Sequence, residues 1–274
     1  MNNRDNSIYL KLAGVLAFLC ISIIAFPQKE DLIIELDEDQ EYGYLQFDNP
    51  KGSVTVTGYE GNVIIVNGVR RFITDNSDTK ITDGRNNRPG FILSAEEKDN
   101  NVIIITESYG NTIDFNIRIP SYMSLKIKCL EDGNVSLYRI NGDIEVINDF
   151  GDIFAGDISG SSVFNSTYGN IKVSFKDIST DKPSMFTSFD GDIELLFPQD
   201  GAASFKIRSH TGRLLTSLEL VAQDQLPVQA GGRDIKSYTL DSWTEAALNG
   251  GGSALIISTY SGNIILKSRK DVTF

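Results

Sequence analysis

Residues 141–162 read NGDIEVINDFGDIFAGDISGSS, and this stretch decides the fold. Its glycines Gly142, Gly151 and Gly160 stand nine residues apart, and each of the first two is followed by Asp-Ile. They belong to a longer register of glycines, each followed by one polar residue and then Val, Ile or Leu: Gly133, Gly151, Gly169, Gly191, Gly212 and Gly262. The first five are 18 to 22 residues apart. A period of about 20 residues that alternates short strands with glycine turns is typical of a β-solenoid.

The side chains that follow each glycine alternate between apolar and polar. The apolar members are Ile144/Val146, Ile153/Ala155, Ile171/Val173/Phe175, Ile193/Leu195/Phe197 and Ile264/Leu266. Successive side chains of a strand point to opposite faces, so each run has one apolar face, and stacked coils join these faces into one core. The sequence therefore predicts an all-β chain, a single-stranded parallel β-helix (β-solenoid) with about 18–22 residues per coil. The glycines are interpreted as corners, and the Asp or Asn after them as turn residues.

The register has one irregular interval, the 50 residues from Gly212 to Gly262. We interpret it as one ordinary coil plus an insertion at residues 223–236. Helix signals are nearly absent, and only residues 243–248, WTEAAL, are compatible with a single helical turn outside the N-terminus. Because no sharp linker interrupts the pattern, residues 28–274 are predicted to form a single β-solenoid domain.

Residues 1–27 are predicted to be a signal peptide. Arg4 and Lys11 precede the uncharged apolar segment 12–26, whose length suits a signal-peptide core and is short for a membrane span. Ala25 is the best small residue for the cleavage position. An uncleaved N-terminal anchor is the alternative, and the membrane would then be contacted only through this segment. Either way the chain is expected to be exported, to the periplasm, the cell surface or the extracellular space.

The net charge of the chain limits the classes of partner that it is expected to bind. The formal net charge is −12 and the isoelectric point is near 4.6, so nucleic acid, which is itself an anion, is not an expected partner. Of the two cysteines, Cys20 lies in the predicted leader. Cys129 shares its parity with Leu125 and Ile127, which predicts a small buried core residue rather than a reactive thiol.

The sequence offers no catalytic residues, no metal ligands and no cofactor motif. His210 is the only histidine, and one histidine cannot build a multi-histidine metal site. A calcium β-roll needs three glycines and a later Asp in each nine-residue unit, which these repeats lack. The residues after the glycines alternate acids with neutral or basic groups, which relieves repulsion between coils: Asn134, Asp152, Asn170, Asp192, Arg213 and Asn263. The chain is therefore predicted not to be an enzyme.

Aromatic residues recur just before the glycines. Some stand one residue before their glycine and others two residues before it, and stacking would bring them into an aromatic strip along one edge: Phe150, Tyr168, Phe189, His210 and Tyr260. We expect this strip to be a packing ladder that stiffens the stack. The sharper alternative is a platform on which the rings of a surface glycan stack.

Four segments resemble a known family. They are residues 48–66 (DNPKGSVTVTGYEGNVIIV), 117–153 (IRIPSYMSLKIKCLEDGNVSLYRINGDIEVINDFGDI), 186–198 (FTSFDGDIELLFP) and 248–268 (LNGGGSALIISTYSGNIILKS). Their pattern is similar to the DUF4097-type family of adhesin-like bacterial domains of unknown function, over roughly residues 30–270. The resemblance implies an exported, single-stranded, right-handed parallel β-helix in a bacterial envelope. The family has no defined catalytic or binding residues, so none is carried over.

Together these observations predict an exported cell-envelope protein of adhesin-like or scaffold type, acting by surface contacts without catalysis. Its partner would be a surface glycan or an envelope protein. One alternative is a glycan-active β-helical lyase or hydrolase, which would gather carboxylates on an exposed face. A second is a self-assembling envelope scaffold, whose terminal strand edges would dock onto other copies.

Overall fold

The computed structural model describes residues 31–37, 42–71, 91–107, 110–179, 182–222, 228–229, 235–240 and 242–271. Within these ranges the chain forms 23 β-strands and one short 3-10 turn at Arg269–Asp271. The predicted leader, residues 1–27, lies outside the described residues. The all-β prediction is confirmed.

The strands form two large, mostly parallel sheets. The first has twelve strands, in the spatial order β1 (Leu32–Glu35), β4 (Val63–Arg70), β7 (Ile113–Pro120), β3 (Val54–Tyr59), β9 (Val135–Tyr138), β11 (Ile153–Ile158), β13 (Ile171–Phe175), β15 (Ile193–Phe197), β23 (Ile264–Ser268), β17 (Arg213–Thr216), β20 (Lys236–Thr239) and β19 (Val228–Gln229). The second has eleven, in the order β18 (Leu220–Ala222), β21 (Thr244–Leu248), β16 (Ala203–Ser209), β22 (Ala254–Ser261), β14 (Ser184–Asp190), β12 (Ser162–Tyr168), β10 (Ile144–Phe150), β8 (Ser124–Glu131), β2 (Tyr44–Lys51), β6 (Asn101–Glu107) and β5 (Ile92–Lys98).

From β6 to β17 consecutive strands alternate between the two sheets. From β8 to β13 each strand pairs in parallel with the strand two places further along the chain, so that Ile144 lies opposite Ser162 and Ile153 opposite Ile171. We call a strand of the second sheet together with the next strand of the first sheet a coil. The coils stack in the order β6–β7, β2–β3, β8–β9, β10–β11, β12–β13, β14–β15, β22–β23 and β16–β17.

The stacking order departs from the chain order near both ends. The coil β22–β23 lies between β14–β15 and β16–β17, because Ile264 is in register with both Ile193 and Leu214. Of the predicted insertion at residues 223–236, the segments 223–227 and 230–234 lie outside the described residues, so its interpretation as an insertion stays a prediction. Between β17 and β22 the described strands turn antiparallel, with β20 paired to β17 and β21 paired to β16. At the other end β4 and β5 pair antiparallel with β7 and β6.

The prediction of a helical turn at residues 243–248, WTEAAL, is wrong. Residues Thr244–Leu248 form strand β21, which pairs with β16 on one side and β18 on the other. Ala246 and Leu248 point inward and are buried. Hydrogen bonds to two neighbouring strands and an apolar face to bury outweigh a weak helix propensity.

The core lies between the two sheets and follows the predicted period of two. The six residues predicted to point inward after the glycines are at most 2% exposed: Ile144, Ile153, Ile171, Ile193, Leu214 and Ile264. Each large apolar side chain buried in this way stabilises the fold by about 1.5–3 kcal/mol. Cys129 is fully buried as predicted, and burial raises the pKa of its thiol to about 12, which keeps it protonated and unreactive.

Glycine is required at the register positions chiefly because the backbones of successive coils approach closely there. A Cβ built on Gly169 would lie 2.1 Å from the carbonyl oxygen of Gly151, and one built on Gly191 would lie 2.1 Å from the carbonyl oxygen of Gly169. Neither has the left-handed φ that favours glycine, whereas Gly151 does, at 140°. A left-handed turn conformation explains glycine at some of the register positions, and the lack of space for a side chain explains it at all of them.

Candidate binding surface

The structure brings the five predicted aromatic residues together along one edge of the two sheets. Each comes from a different coil, and because β22 lies between β14 and β16 they follow one another in the order Phe150, Tyr168, Phe189, Tyr260 and His210. The four phenyl and phenol side chains are 48–52% exposed, and His210 is exposed as well. Since strands of a sheet lie about 4.8 Å apart, the aromatic strip is roughly 19 Å long.

Most neighbouring rings in the aromatic strip stack face to face. The centroids of Phe150 and Tyr168 are 5.3 Å apart, with 20° between the ring planes. Tyr260 stacks on Phe189 at 5.0 Å and on His210 at 4.6 Å. The exception is the step from Tyr168 to Phe189, where the rings meet edge to face at 6.3 Å and 78°.

The register of the strands explains the edge-to-face contact between Tyr168 and Phe189. Tyr168 lies opposite Asp190 of β14, so Phe189 is displaced by one residue along its strand. The displacement corresponds to the sequence, in which Tyr168 stands one residue before its glycine and Phe189 two residues before. The aromatic strip therefore consists of a stacked pair and a stacked triplet, with a break between them.

The stacking limits what the aromatic strip can contact. A ring whose face lies on a neighbouring ring cannot offer that face to a sugar, so most of the aromatic strip presents ring edges to solvent. Ring faces are accessible at the break and at the ends. The arrangement therefore combines the expected packing ladder with a continuous, half-exposed apolar ribbon.

A ladder of polar side chains runs beside the aromatic strip, at the positions that follow the glycines. The backbone N–H of Asp152 donates to Asn134 Oδ1 at 2.9 Å, and the N–H of Asn170 donates to Asp152 Oδ1 at 2.7 Å. The same bond recurs from coil to coil, with donors Asp192, Asn263 and Arg213. The interpretation of these Asp and Asn residues as turn residues is confirmed, and neighbouring carboxylates are separated by Asn.

A second polar column was not predicted. Small polar side chains buried beneath the same corner donate to glycine carbonyl oxygens of the neighbouring coil: Asn148 to Gly133, Ser166 to Gly151, Ser188 to Gly169, Thr259 to Gly191 and Ser209 to Gly262. A signal was present, since each of these residues stands three places before a glycine of the register. Satisfying these buried carbonyls holds the corner rigid behind the aromatic strip.

The ionisable groups of the described residues form no cluster of three or more His, Cys, Asp or Glu that could hold a metal ion. Glu194 lies between two lysines of neighbouring strands, with Nζ of Lys172 at 2.9 Å and Nζ of Lys267 at 3.1 Å. Burial alone would raise the pKa of Glu194, but the hydrogen bonds from the two lysines outweigh it and the pKa is lowered. This carboxylate therefore stays charged as part of a cross-strand ion pair.

A groove of about 570 Å³ lies on the opposite edge, where strands of the first sheet end. It is lined by Gly58, Tyr59, Glu60, Ser121, Arg139, Asn141, Asp157 and Lys176. Asp157 accepts a hydrogen bond from the Arg269 guanidinium at 2.6 Å, and the guanidinium of Arg118 lies over the ring of Tyr59 at 4.6 Å. Its residues come from five separate segments of the chain, which is why no single stretch of sequence indicates it.

A cation–aromatic cluster lies on the outer surface of the second sheet, next to the His210 end of the aromatic strip. Nζ of Lys206 is 5.4 Å and Cζ of Arg208 is 5.9 Å from the centroid of the Trp243 ring. Lys206 and Arg208 are exposed and Trp243 is 41% exposed. Sequence reasoning missed this cluster, although Lys206, Arg208 and His210 alternate along KIRSH as neighbours on one face of a strand must.

Comparison with known proteins gives only distant similarities. No family model matches the sequence, so the resemblance to the DUF4097-type family stays a prediction. No curated protein matches it either. Two crystal structures are similar to the structure of this chain. One is of a "putative cell adhesion protein" from Clostridium sporogenes, with 13% identity and a TM-score of 0.39, and the match covers 88% of this chain and 99% of that one.

The other is of a "putative adhesin" from Bacteroides fragilis, with 10% identity and a TM-score of 0.34, and the match covers 88% of this chain and 98% of that one. With TM-scores this far below 0.5, the two similarities are too distant to carry an argument about the fold or the function of this chain. Among the described residues no helix is long and apolar enough to cross a membrane.

Proposed function

We propose that this chain is an exported, adhesin-like protein of the bacterial cell envelope, which acts by surface contacts and not by catalysis. Its residues 28–274 would form one single-stranded, right-handed parallel β-solenoid. The alternation of strands β6 to β17 between two mostly parallel sheets supports this winding. The apolar segment 12–26 behind Arg4 and Lys11 supports export.

The aromatic strip is the observation that carries the proposal. Four aromatic side chains about half exposed, and His210 beside them, form one continuous apolar ribbon on a protein whose net charge is −12. Contiguous apolar surface of this kind marks a contact site on a soluble domain. The corner behind it is held by the two polar columns of hydrogen bonds. An extended ligand that follows the edge, such as a surface glycan, fits this shape.

The test removes the rings and keeps the fold. The variant Tyr168→Ala/Phe189→Ala/Tyr260→Ala and the wild type are compared on a glycan array and in a thermal melt. The control is Asn165→Ala/Thr187→Ala/Ser258→Ala, which truncates three neighbours in register on the outer face of the same strands. We expect the wild type and the control to bind glycan and the strip variant to lose binding.

The thermal stability of the strip variant distinguishes a glycan-binding strip from a purely structural ladder. The side chains are half exposed, so their truncation should cost well below the 3–5 kcal/mol typical of fully buried aromatic residues. A large drop in melting temperature with no wild-type binding to lose would show that the aromatic strip serves packing alone, and would refute the proposal.

A glycan-active enzyme is the alternative, and the groove at the opposite edge is where it would act. Glu60 and Asp157 supply two carboxylates there. Asp157 is engaged by Arg269, and Ser121 donates to Glu60 at 3.2 Å. Depolymerisation of a bound glycan that Glu60→Gln abolishes would establish this alternative.

The strands at the two ends of the stack disfavour the second alternative, a self-assembling scaffold. The outermost described strands there pair antiparallel with their neighbours, and β18 and β19 have only three and two residues. The edge strand β5 carries Glu96, Glu97 and Lys98, all exposed. Short or charged edges disfavour strand addition from another copy.

A further inference from the structure

The cluster of Lys206, Arg208 and Trp243, here called the cationic patch, has the opposite charge to the protein as a whole. Strand β16 alternates, with Phe205, Ile207 and Ser209 buried and Lys206 and Arg208 exposed on its outer face. Both cations lean over the ring of Trp243, the only tryptophan of the chain. On a chain with a net charge of −12, this places two positive charges and one aromatic ring on one spot.

Within the part of the chain that the structure describes, no carboxylate holds either cation. Among the described residues no acidic side chain forms a salt bridge with Lys206 or Arg208, although Glu245 lies opposite Lys206 in the register of β16 and β21. Lys126 of the same sheet shows the contrast, since its Nζ lies 2.9 Å from Glu145. Exposed cations that no described carboxylate pairs with are available to an external anion.

The cationic patch is continuous with the aromatic strip. Arg208 lies opposite Ser258 of β22, two residues before Tyr260, whose ring stacks on His210 at 4.6 Å. A ligand that leaves the aromatic strip at His210 therefore reaches Arg208 within about two residues of strand, roughly 7 Å. The surface changes at this end from apolar ring edges to cations flanking an indole.

We propose that the cationic patch recognises the acidic residues of a polysaccharide, a uronate or a sulfated sugar, and that this end of the aromatic strip selects acidic over neutral chains. This inference rests on the proposed function and names its ligand class. The guanidinium of Arg208 pairs with a carboxylate or sulfate in a planar, two-point hydrogen bond, and Lys206 adds a second charge. The indole of Trp243 packs against the apolar side of the sugar ring next to the anion.

Trp243 reports on its own surroundings, which makes the test direct. The mature protein is titrated with an oligogalacturonate, and the emission of its single tryptophan is followed; a neutral gluco-oligosaccharide of equal length is the reference ligand. We expect a saturable change with the acidic ligand alone, weakened by about 0.5 M NaCl because salt screens exposed charges.

The double variant Lys206→Gln/Arg208→Gln should bind the acidic ligand at least tenfold more weakly. The matched control Lys126→Gln/Lys128→Gln removes two charges at the same spacing from the same sheet face, several strands away, and should change the affinity less than twofold. Equal thermal melts of the two variants show that both are folded.

The inference fails if the two double variants bind alike, if neutral and acidic ligands give the same response, or if no acidic ligand alters the emission of Trp243. The proposed function has a separate outcome. If the strip variant loses glycan binding while Lys206→Gln/Arg208→Gln retains it, the aromatic strip is a binding surface and the cationic patch is not part of it.

Discussion

At the scale of single residues, the packing of backbone against backbone decides where glycine is needed. At the corner beside the aromatic strip the carbonyl oxygen of one glycine occupies the space where a Cβ of the next would lie, at 1.8–2.1 Å from Gly133 through Gly212. A substitution there cannot be accommodated by rotating a side chain, because the obstacle is main chain. The requirement is therefore for the absence of a side chain more than for freedom of φ.

A pair of glycine substitutions separates the two effects. In Gly169→Ala the new Cβ would meet the carbonyl oxygen of Gly151 at 2.1 Å, whereas Gly110 has open space around it but a φ of 80°. We expect Gly110→Ala to cost about 1–2 kcal/mol from its left-handed conformation, and Gly169→Ala to cost about 3 kcal/mol or more because two coils must separate. Urea denaturation of both variants measures the difference. Equal costs would mean that conformation, not contact, explains the glycine column.

Glu194 gives the stability a dependence on pH. The two lysines hold its pKa below the usual value of a glutamate, so the folded protein binds this proton less readily than the unfolded chain. The resulting stabilisation is complete above about pH 5 and is lost as the pH falls below the ordinary glutamate pKa of about 4.3. We expect Glu194→Gln to lower the melting temperature at pH 7 and to match the wild type more closely near pH 3.5.

The control for this experiment is Glu245→Gln, which changes an exposed carboxyl group on the outer face of β21. Its melting temperature should stay close to that of the wild type at both values of pH. If Glu194→Gln and the wild type instead lost stability in parallel on acidification, the pairing with Lys172 and Lys267 would contribute nothing to the pH dependence.

At the scale of strands, the period of two predicts which side chains point inward, and the burial of Val173, Leu195 and Leu266 follows it. The order of the coils could not be obtained in this way. Every coil offers its neighbours nearly the same apolar row, glycine corner and polar ladder, so local pattern alone does not specify which coil lies next to which. Sequence order then suggests that β16 follows β14, whereas β22 lies between them.

Hydrogen exchange tests this order directly. Both edges of β22 are bonded, to β14 on one side and to β16 on the other. We expect the amides of Ala254–Ser261 to exchange as slowly as those of β12, despite their place near the end of the chain, and those of Leu220–Ala222 at the sheet edge to exchange quickly. Fast exchange throughout β22, comparable to that of β18, would contradict the inserted position.

At the scale of the whole molecule, what sequence reveals depends on whether a feature repeats. The parallel stacking of the strands, the inward-facing core residues and the aromatic strip are repeated from coil to coil, and each of these was predicted. The cationic patch joins Arg208 to Trp243, and the groove joins residues as distant as Tyr59 and Lys176. Such sites occur once, because they form only when distant segments come together in the folded chain. No periodic sequence pattern therefore predicts them.

The location of the molecule is the last prediction. The first described strand begins at Leu32, only a few residues after the predicted signal peptide, residues 1–27. Export matters to the proposed function, since a strip that binds surface glycan must reach the outside. We expect cell fractionation to find the protein outside the cytoplasm, and intact-mass analysis to show a chain beginning near residues 26–28. A full-length mass in the membrane fraction would indicate a retained anchor, and mature protein in the cytosol would contradict export altogether.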